Sequence, residues 1–87
     1  MKKKLFISLR SARTNSGLKQ SEVVTILNKH YGIRISRQKL AEYEVNSEDV
    51  PINLAKALSG IYSIPENYIF FGKESTLSYI NRSSQIV

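Results

Sequence analysis

Residues 36–44, with the sequence SRQKLAEYE, have the pattern of a short amphipathic helix. Ser36 is a favourable N-cap residue, because its side-chain oxygen can accept a hydrogen bond from a backbone N–H group of the first helical turn. Leu40 and Tyr43 are three residues apart, so they lie on one face of the helix. The pattern therefore predicts one face turned towards a core and one exposed face that carries charged and polar side chains.

Two further helices are predicted before this stretch. The first covers about residues 4–15 and ends near Gly17, since glycine readily adopts the left-handed conformation that follows a helix. Its apolar stripe consists of Leu5, Leu9 and Ala12. The second covers about residues 20–30 and ends at Gly32. Its predicted buried side consists of Val23, Val24, Ile26, Leu27 and Tyr31.

Two more helices are predicted after residue 50. Pro51 suits the first turn of a fourth helix, because the N–H group that proline lacks would have no partner there. The apolar stripe of this helix consists of Leu54, Ala57, Leu58 and Ile61. Pro65 opens a fifth, short helix that Gly72 ends. Its aromatic residues Tyr68, Phe70 and Phe71 have the character of a dimer patch. One or two of the three are expected to be buried within the monomer.

The predicted fold class is all-α, a compact bundle of five short helices over residues 1–72, followed by a polar tail over residues 73–87. No apolar run is long enough to span a bilayer. The apolar stretch after Lys4 is interrupted by Ser8 and Arg10, which argues against an export signal. The chain has no cysteine, which fits a reducing compartment, and a cytoplasmic location is expected.

Positive charge is concentrated in the first half of the chain. Residues 1–39 hold ten Lys and Arg against one acid, Glu22, a net charge of +9, whereas residues 40–87 hold three bases against six acids, a net charge of −3. A positive field of this kind attracts phosphate backbones through counterion release. Charge alone fits nucleic-acid binding and a solvated basic surface equally well, so the motif below is needed to separate them.

Five segments occur in a characteristic order: LRSAR, GLKQSEV, SRQKLAEYE, the stripe after Pro51, and IPENYIFFG. Together they resemble the Cro/C1-type helix-turn-helix family, also called the XRE family, over about residues 5–72. The resemblance implies a lambda-repressor-like DNA-binding domain. It also implies a sequence-specific transcriptional regulator, a repressor of phage or mobile-element type, that binds double-stranded DNA at a palindromic operator as a homodimer.

The resemblance also implies roles for single residues. Gln20 corresponds to a glutamine that opens the second helix and contacts DNA phosphate, and Arg37 belongs to the start of the recognition helix. Arg13 and Glu44 correspond to a structural ion pair between the first and third helices. The full set of predicted DNA contacts is Lys19, Gln20, Ser21, Arg34, Ser36, Arg37, Gln38, Lys39, Glu42 and Asn46.

Side-chain chemistry agrees with a reading role for this helix. Arginine can bind guanine O6 and N7 with two hydrogen bonds, glutamine can bind adenine N6 and N7, and glutamate can accept from cytosine N4. Arg37, Gln38 and Glu42 lie roughly on one helix face, with Leu40 on the opposite face. For Glu42 an ion pair with Lys39 is an equally good interpretation.

The connection before the recognition helix is longer than the three or four residues usual in the family. Residues 28–35 separate Leu27 from Ser36, which predicts a second helix longer by about a turn and a wider connection. Lys29 and Arg34 then become candidate contacts to the DNA backbone.

A second hypothesis is suggested by this wide connection and by the aromatic fifth helix. The domain would then be a protein-interaction module, either an antagonist of another regulator protein or an antitoxin. An enzyme is not predicted, because no nucleophile–base pair, phosphate loop or metal-ligand spacing stands out. No cofactor or metal is expected, and the lone His30 is expected at the surface.

Overall fold

A computed structural model describes residues 6–73 of the chain. This part folds as a compact all-α bundle. Its elements are α1 (Leu9–Asn15), α2 (Gln20–Tyr31), α3 (Arg37–Val45), α4 (Ile52–Tyr62) and a 3₁₀ turn (Glu66–Tyr68). None of the described helices is long and apolar enough to cross a bilayer. The all-α prediction is confirmed, but the described bundle has four α-helices rather than five.

The core lies between the four helices and is built from the predicted stripes. Leu40 of α3 is fully buried, as are Val23 and Leu27 of α2 and Leu58 of α4. The buried apolar residues that form one cluster are Leu9, Ala12, Val23, Leu27, Leu40, Leu54, Ala57, Leu58, Tyr62 and Ile69. Because α3 contributes only Leu40 to this cluster, most of the surface of this helix stays available to solvent.

The first helix begins later than the apolar stripe predicts. Ser8 is its N-cap and accepts a hydrogen bond from the N–H group of Ser11 at 3.0 Å. Ile7 is extended and pairs in parallel with Ile69. Its N–H group donates to Tyr68 O, and its carbonyl oxygen accepts from the N–H of Phe70, each at 2.9 Å. The N–H and carbonyl groups of Ile7 therefore bond with residues 68 and 70 and not within a helix. The prediction of a helix over residues 4–15 is wrong for residues 6–8.

The fifth predicted helix is reduced to the 3₁₀ turn. After Tyr68 the chain is extended, and the extended backbone turns Ile69 inward, where it is only 3 % exposed. Tyr68 is 46 % exposed, and Phe70 and Phe71 are half-buried. Phe70 packs edge-on against Phe6, with ring centroids 6.2 Å apart. The expectation that one or two of the three aromatic residues would be buried is met only in part: Phe71 packs against the core but is half-buried, and Ile69 takes the fully buried position.

The connection between α2 and α3 follows the sequence prediction. Helix α2 has twelve residues and ends at Gly32, whose φ is 66°. The N–H group of Ile33 donates to Leu27 O at 3.0 Å. Ile33 and Ile35 pack against the core, whereas Arg34 between them is exposed. The two isoleucines thus anchor the connection and present Arg34 to solvent.

Gly32→Ala is expected to lower the free energy of unfolding by about 1 kcal/mol, because a Cβ atom is strained at positive φ. A Cβ at this position would meet nothing within 4 Å, so the loss is a backbone effect alone. Gly32→Asn is the matched control and should lose less, since asparagine tolerates the left-handed region. Urea unfolding monitored by circular dichroism measures both; equal stability of the alanine variant and the wild type would contradict this account.

Two predictions fall on residues outside the described range. The start of the first predicted helix, residues 4 and 5, and the tail over residues 74–87 lie there. Lys73, the first residue of the predicted tail, is described and pairs antiparallel with Asn46.

Candidate nucleic-acid interface

The predicted Arg13–Glu44 pair is present and joins α1 to α3. Arg13 Nε donates to Glu44 Oε2 at 2.6 Å, and Arg13 Nη2 donates to Glu44 Oε1 at 3.2 Å. The side chains of Arg13 and Glu44 are 13 % and 4 % exposed. The hydrogen bond to Glu44 raises the pKa of Arg13, against the opposing effect of burial. Arg13 Nη1 also donates to Leu18 O at 2.9 Å, so the guanidinium holds the α1–α2 turn as well.

Tyr62 lies within the electrostatic influence of this pair. Burial raises the pKa of the Tyr62 hydroxyl, and the negative charge of Glu44 raises it further. The phenol therefore remains neutral, and the local charge balance is set by Arg13 and Glu44.

Gln20 connects the buried pair to the surface. Its Nε2 donates to Glu44 Oε1 at 3.0 Å, and its Oε1 accepts from Arg37 Nη1 at 3.3 Å. Because Gln20 opens α2 and Arg37 opens α3, this chain of hydrogen bonds fixes the two helix N-termini relative to each other. The exposed Arg37 side chain is thus oriented through Gln20 by a carboxylate that is itself buried.

An open cleft of about 400 Å³ lies where these helix ends meet. Its lining brings together four of the predicted DNA contacts and one member of the ion pair: Lys19, Gln20, Ser21, Arg37 and Arg13. We call this the N-terminal cleft. The N–H group of Lys19 donates to Glu22 Oε1 at 2.7 Å, so Glu22 caps the first turn of α2. A cleft with this lining attracts anions and offers several hydrogen-bond donors.

The outer face of α3 carries the remaining predicted reading residues. Arg37, Gln38, Lys39 and Glu42 are all exposed, while Leu40 on the opposite side is buried. Lys39 Nζ lies 3.6 Å from Glu42 Oε1 and 4.9 Å from the centre of the Tyr43 ring. The Lys39–Glu42 alternative is therefore observed, and since both side chains are at least half exposed it leaves Glu42 able to exchange partners.

Ser36 holds the start of α3, as predicted. Its hydroxyl oxygen accepts from the N–H group of Lys39 at 3.0 Å, and its backbone is extended. This cap orients the first turn, from which Arg37 and Gln38 project.

Ser36→Ala is expected to lower the free energy of unfolding by about 1 kcal/mol, because the N–H group of Lys39 loses its acceptor. Ser36→Asp is the matched control and should retain most of the stability, since aspartate is an equally good cap. Thermal or urea unfolding of the three proteins side by side measures this. An alanine variant as stable as the aspartate variant would contradict the role of the cap.

Asn46 lies at the opposite end of α3 from the N-terminal cleft. It is the C-cap residue, and its Oδ1 accepts from the N–H group of Glu48 at 3.0 Å. The next residue, Ser47, is buried and ties this loop to the end of the described chain: its N–H donates to Gly72 O, and its Oγ accepts from the N–H of Gly72 at 2.8 Å. The structure therefore separates Asn46 from the other predicted contacts.

Arg34 also lies apart from the N-terminal cleft, in a second cleft of about 460 Å³. This second cleft, which we call the connection cleft, is lined by Val24, Thr25, Asn28, Lys29, Arg34 and Ile35. Sequence reasoning placed Lys29 and Arg34 near DNA but missed Thr25 and Asn28. Their signal is helical spacing, because Ser21, Thr25 and Asn28 follow one another at intervals of four and three residues.

Comparisons of the chain with protein-family models, with curated proteins and with solved structures found no match. The functional interpretation therefore depends on the geometry and chemistry of the residues described above.

Proposed function

We propose that this chain is a sequence-specific DNA-binding regulator of the helix-turn-helix type, similar to the Cro/C1-type repressors. The observation that carries the proposal is the exposed first turn of α3, capped by Ser36, with Arg37 held by Gln20 beside the N-terminal cleft. Recognition helices enter the major groove with their N-terminal residues foremost. Arg37 and Gln38 then face base edges.

The electrostatics support the same assignment. Each acid on this side of the domain has a local partner: Glu22 bonds the N–H group of Lys19, Glu42 pairs with Lys39, and Glu44 pairs with Arg13. Lys19 and Arg37 of the N-terminal cleft thus face solvent with little opposing charge, whereas Arg13 is paired with Glu44. Groups of this kind bind phosphates and set the register of the protein on the duplex.

The proposed regulator works as a symmetric dimer on a palindromic operator, in the cytoplasm. Two recognition helices related by a two-fold axis read two half-sites on one side of the duplex. The half-sites are expected about 34–36 Å apart, one helical turn of DNA.

Binding of the full chain to a mixed-sequence 20-base-pair duplex, measured by fluorescence anisotropy at 50 and 200 mM salt, tests the proposal. If four phosphates are neutralised, the association constant should fall about a hundredfold between the two salt concentrations. Binding that does not change with salt, or no binding at 50 mM, would contradict it. A chain that ignores DNA and co-purifies with another protein would instead favour the interaction-module hypothesis.

A further inference from the structure

The connection cleft has a lining suited to phosphate oxygens. Lys29 and Arg34 supply positive charge, and Asn28 supplies a side-chain amide that can donate hydrogen bonds; the hydroxyl of Thr25 already donates to Ser21 O at 3.0 Å. Within residues 6–73, neither Lys29 nor Arg34 makes an ion pair or a side-chain hydrogen bond. The proposed function uses the N-terminal cleft and the face of α3, and it does not say which strand Lys29 and Arg34, predicted to contact the DNA backbone, would bind.

The connection cleft is also a built part of the fold. Gly32 ends α2, the N–H group of Ile33 donates to Leu27 O, and Ile33 and Ile35 pack against the core. The backbone on both sides of Arg34 is therefore fixed. The long connection is held in one place on the surface of α2, and it presents its arginine beside Lys29.

Both clefts are lined by residues next to Ser36, the N-cap of α3. Arg37, one residue after Ser36, lines the N-terminal cleft, and Ile35, one residue before it, lines the connection cleft. From the N-cap of α2, the lysines of the two clefts, Lys19 and Lys29, are ten residues apart, a rise of about 15 Å. The major groove of B-DNA is about 12 Å wide, so cations at this separation can face its two walls.

From this separation we propose that the connection cleft binds a DNA phosphate on the wall of the major groove opposite the wall bound by the N-terminal cleft. Helix α2 then spans the groove, with one cationic cleft on each strand and the first turn of α3 between them. This inference rests on the proposed function, since it needs the recognition helix in the groove. The long connection between α2 and α3 then binds the phosphate backbone of the second DNA strand.

The test compares salt dependence of duplex binding in Lys29→Gln, Arg34→Gln and the double variant with that of the wild type. Each lost phosphate contact makes the slope of log K against log salt less steep by about 0.9, so the double variant should lose about 0.9 for each bound subunit. Base preference should not change, since phosphate contacts carry no sequence information. Lys56→Gln is the matched control: Lys56 is exposed on α4 and lines neither cleft, and its slope should stay at the wild-type value.

Phosphate-ethylation interference on the bound duplex locates the contact. The wild type should show interference on both strands across the major groove, and the double variant should lose it on one of the two strands within each half-site. If the wild type binds the duplex and the double variant has the same salt slope and the same interference footprint as the wild type, this inference alone is overturned. A wild type that binds no duplex would overturn the proposed function and this inference together.

Discussion

Glu44→Ala is expected to destabilise the domain by about 3 kcal/mol, because it leaves the partly buried guanidinium of Arg13 with only Leu18 O as a partner. The same change removes the acceptor of Gln20 Nε2. The domain predicted over residues 1–72 has a total stability of only about 4–11 kcal/mol, so the loss is a large part of it. Urea unfolding at 25 °C measures the loss.

Two further variants make the prediction specific to the ion pair. Glu48→Ala removes an exposed carboxylate from the loop just after α3 and should change stability by less than about 0.5 kcal/mol. Arg13→Met combined with Glu44→Ala should be more stable than Glu44→Ala alone, because no unpaired buried charge remains. A loss below about 1 kcal/mol in Glu44→Ala would show that the pair does not hold α1 and α3 together.

Arg37→Ala is expected to weaken binding to the best operator by about 5- to 150-fold, the effect of losing one bidentate base contact worth about 1–3 kcal/mol. Arg37 is exposed and lies in the first turn of α3, where alanine is well tolerated, so the fold should remain intact. The preference for one base should relax at a single position in each half-site. Competition binding with duplexes that vary at each position measures both effects.

Arg37→Lys separates base reading from charge. Lysine keeps the positive charge but lacks the planar fork that donates two parallel hydrogen bonds. Its salt dependence should match the wild type, while its base preference should relax as in Arg37→Ala. If Arg37→Ala retained both the affinity and the base preference of the wild type, another residue of α3 would have to be the reader.

Gln20 links Arg37, the proposed reading residue, to the buried carboxylate of Glu44. Arg37 is bonded to Gln20, and Gln20 is bonded to Glu44, so a change at Glu44 also affects the orientation of Arg37. At low temperature, where Glu44→Ala still folds, the variant should therefore bind its operator more weakly than the wild type. Glu44→Ala is thus expected to lower both the stability of the domain and its affinity for the operator.

The helices were predictable where local signals agree with packing. Ser36, Gly32 and the stripe that contains Leu40 mark their elements through capping chemistry and spacing, and the structure has all three in the predicted roles. The region after Pro65 was not predictable in this way. Its backbone bonds with Ile7, more than sixty residues earlier, and no local pattern reports such a partner.

The residues of the candidate site were predictable from the sequence, but the contacts among them were not. The Arg13–Glu44 pair followed from the family resemblance, whereas the Gln20–Glu44 bond joins residues 24 apart and has no sequence signal of its own. The separation of Arg34 from the N-terminal cleft also needed the structure. It depends on how Ile33 and Ile35 dock the connection on the core.

Selection of bound sequences from a random duplex pool tests the central claim, that α3 reads DNA, most directly. The wild type should enrich a short motif as an inverted repeat, with half-site centres one helical turn apart. Arg37→Ala should enrich the same motif with one position per half-site relaxed. A selection in which the folded wild type enriches no motif over the starting pool would contradict the claim.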